Sequence, residues 1–370
     1  MNDEFAEAMR RSMDLTRAGN PAEATRVIQE ALQGRGGTSP APLTLDGPVQ
    51  KPARKPTRGT VEDAEVLSST PPRRPLGDVI AALRKRPQGF GMPGPVTPSV
   101  PDIPGTTFER RTYSGPQGAR DYRLFLPSTH AEGVKGLIVM LHGCTQSPED
   151  FAAGTAMNAQ AEQHGFAIIW PEQTRTHNPS LCWNWFRAGD QGRAGEPAIL
   201  QAIAASVAAE FHAPHVFVAG LSAGGAMAAI LGQSYPETFA AVGVHSGLAP
   251  GAAQDVVSAF GAMQGNAVAG TALKVPAIVF HGTSDNTVAP GNAARVTGPL
   301  RAAETRKGQS TGRRFTVTEG QNAAGHPVES WSIDGAGHAW AGGSASGSYT
   351  DPAGPDASRE MMRFFRQRMV

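Results

Sequence analysis

The 370-residue sequence predicts an α/β fold in which helices cover both faces of a mainly parallel sheet. Short apolar runs recur along the chain, and segments with helical spacing of apolar residues separate most of them. Unbroken apolar runs are typical of strands buried on both faces, as in parallel sheets. The alternation therefore predicts parallel strands joined by crossover helices. The runs are GLIVMLHG (136–143), GFAIIWPE (165–172), HVFVAG (215–220), FAAVGVHSG (239–247), PAIVFHG (276–282) and PVESWSIDG (327–335).

Other elements of this main domain, which we place at residues 106–370, have their own local signals. TFERRTYS and ARDYRLFLP flank the turn GPQG, which predicts an opening β-hairpin. Helices are predicted by PEDFAAGTAMNAQAEQHG, EPAILQAIAASVAAEFH and SAGGAMAAILGQSYP, and PDASREMMRFFRQRM predicts a closing helix.

Two segments precede the main domain. Residues 1–34 predict a helical hairpin, because two segments with helical apolar spacing flank the turn residues GNP. Residues 35–105 are rich in proline and predict an extended, disordered linker. The hairpin could pack on the main domain or bind another protein.

Composition excludes some classes of protein. Lys and Arg number 33 against 32 Asp and Glu, so the net charge of +1 gives no electrostatic reason to expect a nucleic-acid partner. Apolar runs fall well short of the roughly 20 residues of a transmembrane helix. Since the first residues also lack the apolar core of a signal peptide, a cytoplasmic location is expected, with secretion by an unrecognised route left open.

The stretch GLSAG (220–224) places Ser222 between small residues where a predicted strand stops and a helix starts. This is the context of a nucleophile elbow, in which a serine sits on a strained strand-to-helix turn. A simple tight turn built from glycine and alanine is the alternative. The chemical interpretation requires a general base and an orienting acid elsewhere in the chain.

Both groups follow Ser222 in the order that an α/β-hydrolase uses. Asp285 lies three residues past Gly282, in a loop after a predicted strand, and His338 lies in the glycine-rich loop of DGAGHAWAGG. In a parallel sheet the carboxyl ends of strands share one edge, so these loops are expected to meet. The sequence predicts Ser222 as nucleophile, His338 as base and Asp285 as the acid that orients it.

An oxyanion hole needs two backbone N–H groups. We expect them from Ala223, directly after the nucleophile, and from Cys144 in LHGCTQ, after an early strand. The chain has two cysteines, Cys144 and Cys182, which could form a disulfide, although a reducing cytosol would oppose it. Nucleotide-binding and metal-binding motifs do not occur, so no cofactor and no metal are expected.

Aromatic residues near these loops are candidates to bind substrate. Trp340 lies two residues beyond His338, and Tyr349 and Trp183 lie in neighbouring loops. Each could equally pack the domain core.

Seven motifs taken together resemble the polyhydroxybutyrate (PHB) depolymerase family of esterases. They are LHGCTQ, CWNWF, GEPAIL, GLSAGGAM, FHGTSDNTV, GAGHAWAGG and GSYTDPAGPDASREMMRFF, all in order across residues 107–370. The resemblance implies an α/β-hydrolase fold, no metal cofactor and hydrolysis of short-chain polyhydroxyalkanoate esters. It also implies the triad Ser222, Asp285 and His338, with Cys144 and Ala223 as oxyanion donors.

Other functions are also compatible with these motifs. Esterases that remove feruloyl or acetyl groups from plant polysaccharides share the elbow and triad, so they supply an alternative substrate class. A different class of function is a granule-associated interaction protein whose hydrolase domain is only a scaffold. In either case the hairpin at residues 1–34 could contact a protein or a granule surface.

Overall fold

A ten-stranded sheet organises the residues that the computed structural model describes, 100–267 and 270–369. The predicted hairpin at 1–34 and the linker through residue 99 lie outside the described residues. The sheet strands are β1 (Thr107–Gly115), β2 (Gly118–Leu126), β3 (Gly136–Leu141), β4 (Phe166–Pro171), β5 (Val216–Leu221), β6 (Phe239–His245), β7 (Ala277–Gly282), β8 (Arg301–Gln309), β9 (Arg314–Gln321) and β10 (Pro327–Ile333).

The strand order is β1-β2-β4-β3-β5-β6-β7-β10-β9-β8. All neighbours from β4 to β10 pair in parallel, and antiparallel pairs form the two ends of the sheet. The six parallel strands coincide with the six predicted apolar runs, and β1 and β2 form the predicted hairpin. Two short strands, β11 (Trp340–Ala341) and β12 (Thr350–Asp351), form a separate parallel pair.

Helices cover both faces of the sheet. Successive strand residues point to opposite sides, so each buried strand contributes apolar side chains to both faces. Leu137 and Val139 of β3 belong to one core cluster, and Ile138 and Met140 belong to the other. Residues of α3, α4 and α6 join the first cluster, and residues of α1, α2 and α7 join the second. The helices are α1 (Pro148–Thr155), α2 (Met157–His164), α3 (Gly195–Glu210), α4 (Ala223–Ser234), α5 (Val256–Met263), α6 (Gly291–Thr297) and α7 (Ala357–Arg366).

The predicted α/β-hydrolase architecture is confirmed, and several elements differ from the prediction or were not predicted, among them α5, α6 and the β11–β12 pair. The segment expected as one helix at 148–165 forms α1 and α2, because Ala156 adopts φ 53° and ends the first helix. The β8–β9 hairpin was not predicted, since β8 is almost wholly exposed and its sequence RAAETRKGQ lacks apolar alternation.

This topology brings four loops to one edge of the sheet. Parallel strands present their carboxyl ends on the same side, and the loops after β3, β5, β7 and β10 all begin there. Within the described ranges, no helix is both long enough and apolar enough to span a membrane.

Candidate active site

Ser222 occupies a strained turn between β5 and α4. Its backbone has φ 58° and ψ −119°, a conformation that L-residues rarely adopt and that functional sites often contain. The turn is held at both ends: the Ser222 amide donates to the carbonyl of His245 at 2.8 Å, and the Ala226 amide donates to the carbonyl of Ser222 at 2.9 Å. The backbone of Ser222 is thereby held at the carboxyl edge of the sheet.

The glycines around Ser222 are required by close backbone contacts. A Cβ at Gly224 would lie 2.0 Å from the carbonyl oxygen of Leu141, and a Cβ at Gly220 would lie 2.4 Å from the backbone of Gly224. No larger residue fits either position without moving β3 or α4. The GLSAG motif therefore reflects both the strained serine and the tight packing of the helix on the neighbouring strand.

Asp285 and His338 form a hydrogen-bonded pair beside this turn. Nδ1 of His338 lies 2.8 Å from Oδ2 of Asp285, and the other carboxylate oxygen accepts hydrogen bonds from the amides of Thr287 and Val288, both at 2.9 Å. Burial alone would raise the pKa of Asp285, but the hydrogen bonds from His281, His338 and the Val288 amide hold that pKa well below its usual range. The carboxylate is therefore ionised and orients the imidazole.

His281 is a second imidazole next to Asp285. Its Nε2 lies 2.9 Å from the carbonyl oxygen of Val288 and 3.4 Å from Oδ2 of Asp285. His281 lies near the end of β7, a position that the sequence did not single out. Its side chain is buried, so it supports the loop that carries Asp285 rather than facing the cavity.

A cavity of about 220 Å³ joins Ser222 and His338. The predicted oxyanion donor Cys144 and its neighbour Gly143 lie on its wall. The complete lining is Gly143, Cys144, Gln146, Leu221, Ser222, Met263, Thr287, His338 and Tyr349. The structure thus places the predicted nucleophile, base and one oxyanion donor around a single space.

Of the two predicted oxyanion donors, Cys144 lines the cavity, whereas Ala223 is buried next to Ser222 and is not part of the lining. Neither backbone amide donates a hydrogen bond to any residue within 100–267 or 270–369. A hydrogen bond within the loop of Cys144 holds its backbone, because the Gly143 amide donates to Oε1 of Gln146 at 2.9 Å. Nε2 of Gln146 in turn donates to Asp150 at 2.9 Å and to the carbonyl of Ser348 at 3.1 Å, which ties this loop to the segment that carries Tyr349.

His142, the residue that begins this loop, is a buried neutral imidazole. Its Nδ1 lies 2.7 Å from the carbonyl oxygen of Gly143, and its Nε2 accepts from the amide of Gln173 at 3.2 Å. Burial lowers the pKa of His142 to about 4. His142 consequently fixes the loop and does not act as a base.

Cys144 and Cys182 form a disulfide in the structure. Its two cysteines join the candidate oxyanion loop to the loop that follows β4. The disulfide that the sequence allowed is therefore compatible with the fold.

A buried polar cluster, defined by Arg120, Gln173, Asn184 and Glu196, supports the loop that carries Cys182. Glu196 accepts hydrogen bonds from the Asn184 amide at 2.7 Å and from Nε2 of Gln173 at 2.5 Å, and lies 3.6 Å from Arg120. Gln173 also donates to the carbonyl of Cys182 at 2.8 Å. Glu196, the glutamate of the GEPAIL motif, is thus a buried carboxylate that holds the backbone of the loop containing Cys182 and Asn184. The sequence did not indicate this role.

Two of the three aromatic candidates for substrate binding are corrected by their burial. Trp340 is 1% exposed; its indole packs against Phe151 and His245 and donates to Oγ of Ser358 at 3.1 Å. Trp183 is fully buried and donates to the carbonyl of His142 at 3.1 Å. Both predictions are wrong because these rings are core residues whose N–H groups already have protein acceptors.

Tyr349 does lie on the cavity wall. The residue is 47% exposed, and its hydroxyl lies 3.3 Å from Oγ1 of Thr145. Sequence reasoning missed Gln146, Met263 and Thr287 as lining residues. Gln146 belongs to the LHGCTQ motif, whereas nothing in the sequence singled out Met263. Among the described side chains, no cluster of three His, Cys, Asp or Glu residues could hold a metal ion.

The sequence is similar to those of known esterases. The family model described as esterase PHB depolymerase matches residues 120–319, more than half of the chain. Poly(3-hydroxyalkanoate) depolymerase C of Paucimonas lemoignei is 30% identical over 225 residues, which cover 55% of this chain and 54% of that protein. Feruloyl esterase B of Neurospora crassa is 34% identical over 117 residues, covering 30% of this chain and 39% of that protein.

The fold has a counterpart among solved structures. An acetyl xylan esterase from Aspergillus awamori superposes with a TM-score of 0.52 at 19% identity, covering 69% of this chain and 99% of that one. The chain spans about half the length of the first curated relatives that it matches.

Proposed function

The chain belongs to the esterase PHB depolymerase family. From this membership and the site geometry, we propose that it hydrolyses the ester bonds of short-chain polyhydroxyalkanoates, either poly(3-hydroxybutyrate) or its oligomers. The proposed reaction proceeds through an acyl-enzyme. The observation that carries the proposal is the cavity that joins Ser222 and His338, with His338 held by the ionised Asp285. No metal or cofactor takes part in the proposed reaction.

In the first step, Oγ of Ser222 attacks the ester carbonyl carbon. Since Nδ1 of His338 faces Asp285, Nε2 is the nitrogen that takes the serine proton. Negative charge develops on the carbonyl oxygen, where the unengaged amides of Cys144 and Ala223 stabilise it. The carbon–oxygen bond to the leaving alcohol then breaks, and His338 returns the proton to that alcohol.

In the second step, water replaces the alcohol. His338 accepts a proton from the water as the oxygen attacks the acyl carbon, the bond to Ser222 breaks, and the proton returns to Oγ. The products are a hydroxyacid, or a shortened oligomer, and the free enzyme. Asp285 stabilises the imidazolium in both steps and stays ionised, as its lowered pKa requires.

The substrate class rests on resemblance to the depolymerases, and carbohydrate esters form the second candidate because a feruloyl esterase is among the relatives. The experiment compares release of soluble 3-hydroxybutyrate from amorphous PHB with hydrolysis of a feruloyl ester, using Ser222→Ala as the inactive control. Polymer turnover that exceeds feruloyl turnover supports the proposal. Cleavage of the feruloyl ester alone would reassign the substrate and leave the triad in place.

Ester turnover also distinguishes the proposed enzyme from a granule-associated interaction protein. A wild-type protein that binds polyester granules but turns over no ester would favour that second class of function. The cytoplasmic location stays a prediction. The Cys144–Cys182 disulfide supports the alternative of an oxidising compartment, where such bonds persist.

A further inference from the structure

The exposed large apolar side chains of the described residues are concentrated at one place. They are Val256 (56% exposed), Val257 (75%), Phe260 (65%) and Tyr349 (47%). Three of them belong to α5, and the fourth, Tyr349, lines the cavity that contains Ser222. Scattered single apolar residues are normal on a protein surface, whereas a cluster beside a catalytic cavity marks an interaction surface.

Helical geometry connects this cluster to the cavity. Val256, Phe260 and Met263 have the spacing i, i+4 and i+7, which puts them in one row along α5. Met263, at the end of the row, lines the cavity. Seven residues of helix span about 10 Å, so the row leads from the cavity wall to the solvent-exposed side chains of Phe260 and Val256.

The other face of α5 attaches the helix to the domain. Ala259 and Ala262 are buried, and the Ala289 amide donates to the carbonyl of Met263 at 2.7 Å. Asp255 caps the first turn by accepting from the Ser258 amide at 2.7 Å. The apolar residues that remain outside are therefore not needed for the packing of the helix.

We propose that this row, together with the exposed neighbouring side chain of Val257, forms the surface through which this enzyme contacts solid polyester. The proposal rests on the proposed function and names the physical form of its substrate. A small dissolved ester inside the cavity does not reach Val256, which lies about 10 Å along the helix from Met263. A chain held in a polymer particle does, because the particle surface must lie against the rim while one ester bond enters the cavity.

The chemistry of the row fits an uncharged polymer better than a protein partner. The segment VVSAFGAM of α5 contains no charged residue and offers the surface three apolar side chains. Within residues 100–267 and 270–369, Tyr349 is the one other exposed large apolar side chain that could extend this surface, whereas a stable protein–protein interface involves about 20–30 residues a side. Adsorption to a polymer particle does not require an interface of that size, because a few apolar side chains can contact the particle surface.

The test uses the full chain with Ser222→Ala, so that adsorption is measured without turnover. Adsorption to amorphous PHB particles is compared with and without the added substitutions Val257→Ser and Phe260→Ser. Burial of such side chains contributes enough free energy that removing both should weaken adsorption about tenfold or more. Lys307→Ser, an exposed substitution on β8, is the matched control and should leave adsorption unchanged.

The same Val257→Ser/Phe260→Ser pair in the active enzyme should slow release of 3-hydroxybutyrate from particles, while hydrolysis of dissolved p-nitrophenyl butyrate stays within about twofold of wild type. Unchanged adsorption overturns the proposal. So does equal loss on the dissolved ester, or a wild-type dimer that the substitutions convert to monomer, since a second copy would then be the occupant. If the wild type adsorbs through this row but cleaves no polyester, the proposed function fails and the surface assignment stands.

Discussion

Oδ2 of Asp285 lies 2.8 Å from Nδ1 of His338, although 53 residues separate them in the chain. The sheet explains this contact, because β7 and β10 are parallel neighbours in which Gly282 pairs with Ile333. Asp285 follows its strand by three residues and His338 follows its strand by five. Two loops that leave adjacent strands at the same edge therefore deliver the acid and the base to one point.

Replacement of Asp285 by asparagine tests this contact. An amide offers no negative charge to the imidazolium and favours the wrong tautomer of His338, a change that costs about 10⁴-fold in kcat in triads of this type. We expect a comparable loss on a dissolved chromogenic ester, with KM nearly unchanged. A decrease in kcat of less than tenfold would show that Asp285 does not orient the base.

The buried carboxylate of Glu196 is expected to hold up the loop of Cys182. Glu196→Gln removes the charge that Arg120 and two loop donors face, and breaking a buried pair in this way costs about 3–5 kcal/mol. Urea denaturation measures the change. Glu237→Gln is the matched control, because Glu237 pairs with Arg193 on the surface. The denaturation midpoint of the control should not move, and equal shifts in both variants would contradict the assignment.

The Cys144–Cys182 disulfide should contribute to both stability and catalysis. It closes a loop with a sequence separation of 38 residues, and such bonds typically stabilise by about 2–4 kcal/mol. We expect a reductant to lower the unfolding free energy by that amount. We also expect it to reduce kcat by less than the roughly 100-fold that loss of an oxyanion donor costs.

The double variant Cys144→Ala/Cys182→Ala is the control for the reductant. Its unfolding free energy and kcat should match those of the reduced wild type, and adding a thiol reductant should change neither. A wild-type protein whose stability and kcat are unaffected by reductant, while its cysteines become reactive, would show that the disulfide anchors neither loop.

Stability is expected to fall in mild acid. Burial lowers the pKa of His142 to about 4 and the pKa of His245 to about 3, from the ordinary value of 6.5. Below pH 6.5 the unfolded chain takes up protons that the folded protein refuses, so the free energy of unfolding decreases as pH drops from about 6.5 toward 4. Above pH 6.5 these two groups contribute no pH dependence.

Urea denaturation at pH 7.5 and pH 5 measures this effect. His142→Gln, whose side chain takes up no proton, should make the dependence shallower by close to one proton per molecule. A wild-type protein that is more stable at pH 5 than at pH 7.5 would contradict the neutral, buried state of both imidazoles.

Much of the architecture could be predicted because its strands carry strong local signals. Each of the six parallel strands is an unbroken apolar run, and the glycines around Ser222 record a backbone contact that no other residue allows. The places of Asp285 and His338 followed from their position after two such strands. The β8–β9 hairpin was missed because an exposed strand at the end of a sheet needs no apolar pattern.

The cavity wall could not be predicted, because nearness in sequence says little about the direction of a side chain. Trp340 is two residues from His338 yet points into the core, while Met263 reaches the wall from a helix with no motif of its own. The buried cluster around Glu196 was missed for a related reason. A carboxylate in a helix start resembles ordinary surface charge until the fold buries it.

Ser222→Ala tests the central claim most directly. The variant should keep the wild-type unfolding transition, since the substitution removes one hydroxyl at a position whose backbone is fixed by its neighbours. Turnover of a dissolved short-chain chromogenic ester should fall by several orders of magnitude, as it does when a triad member is removed. Activity above about one per cent of wild type in the folded variant, against the far larger loss expected, would contradict the assignment of Ser222 as the nucleophile.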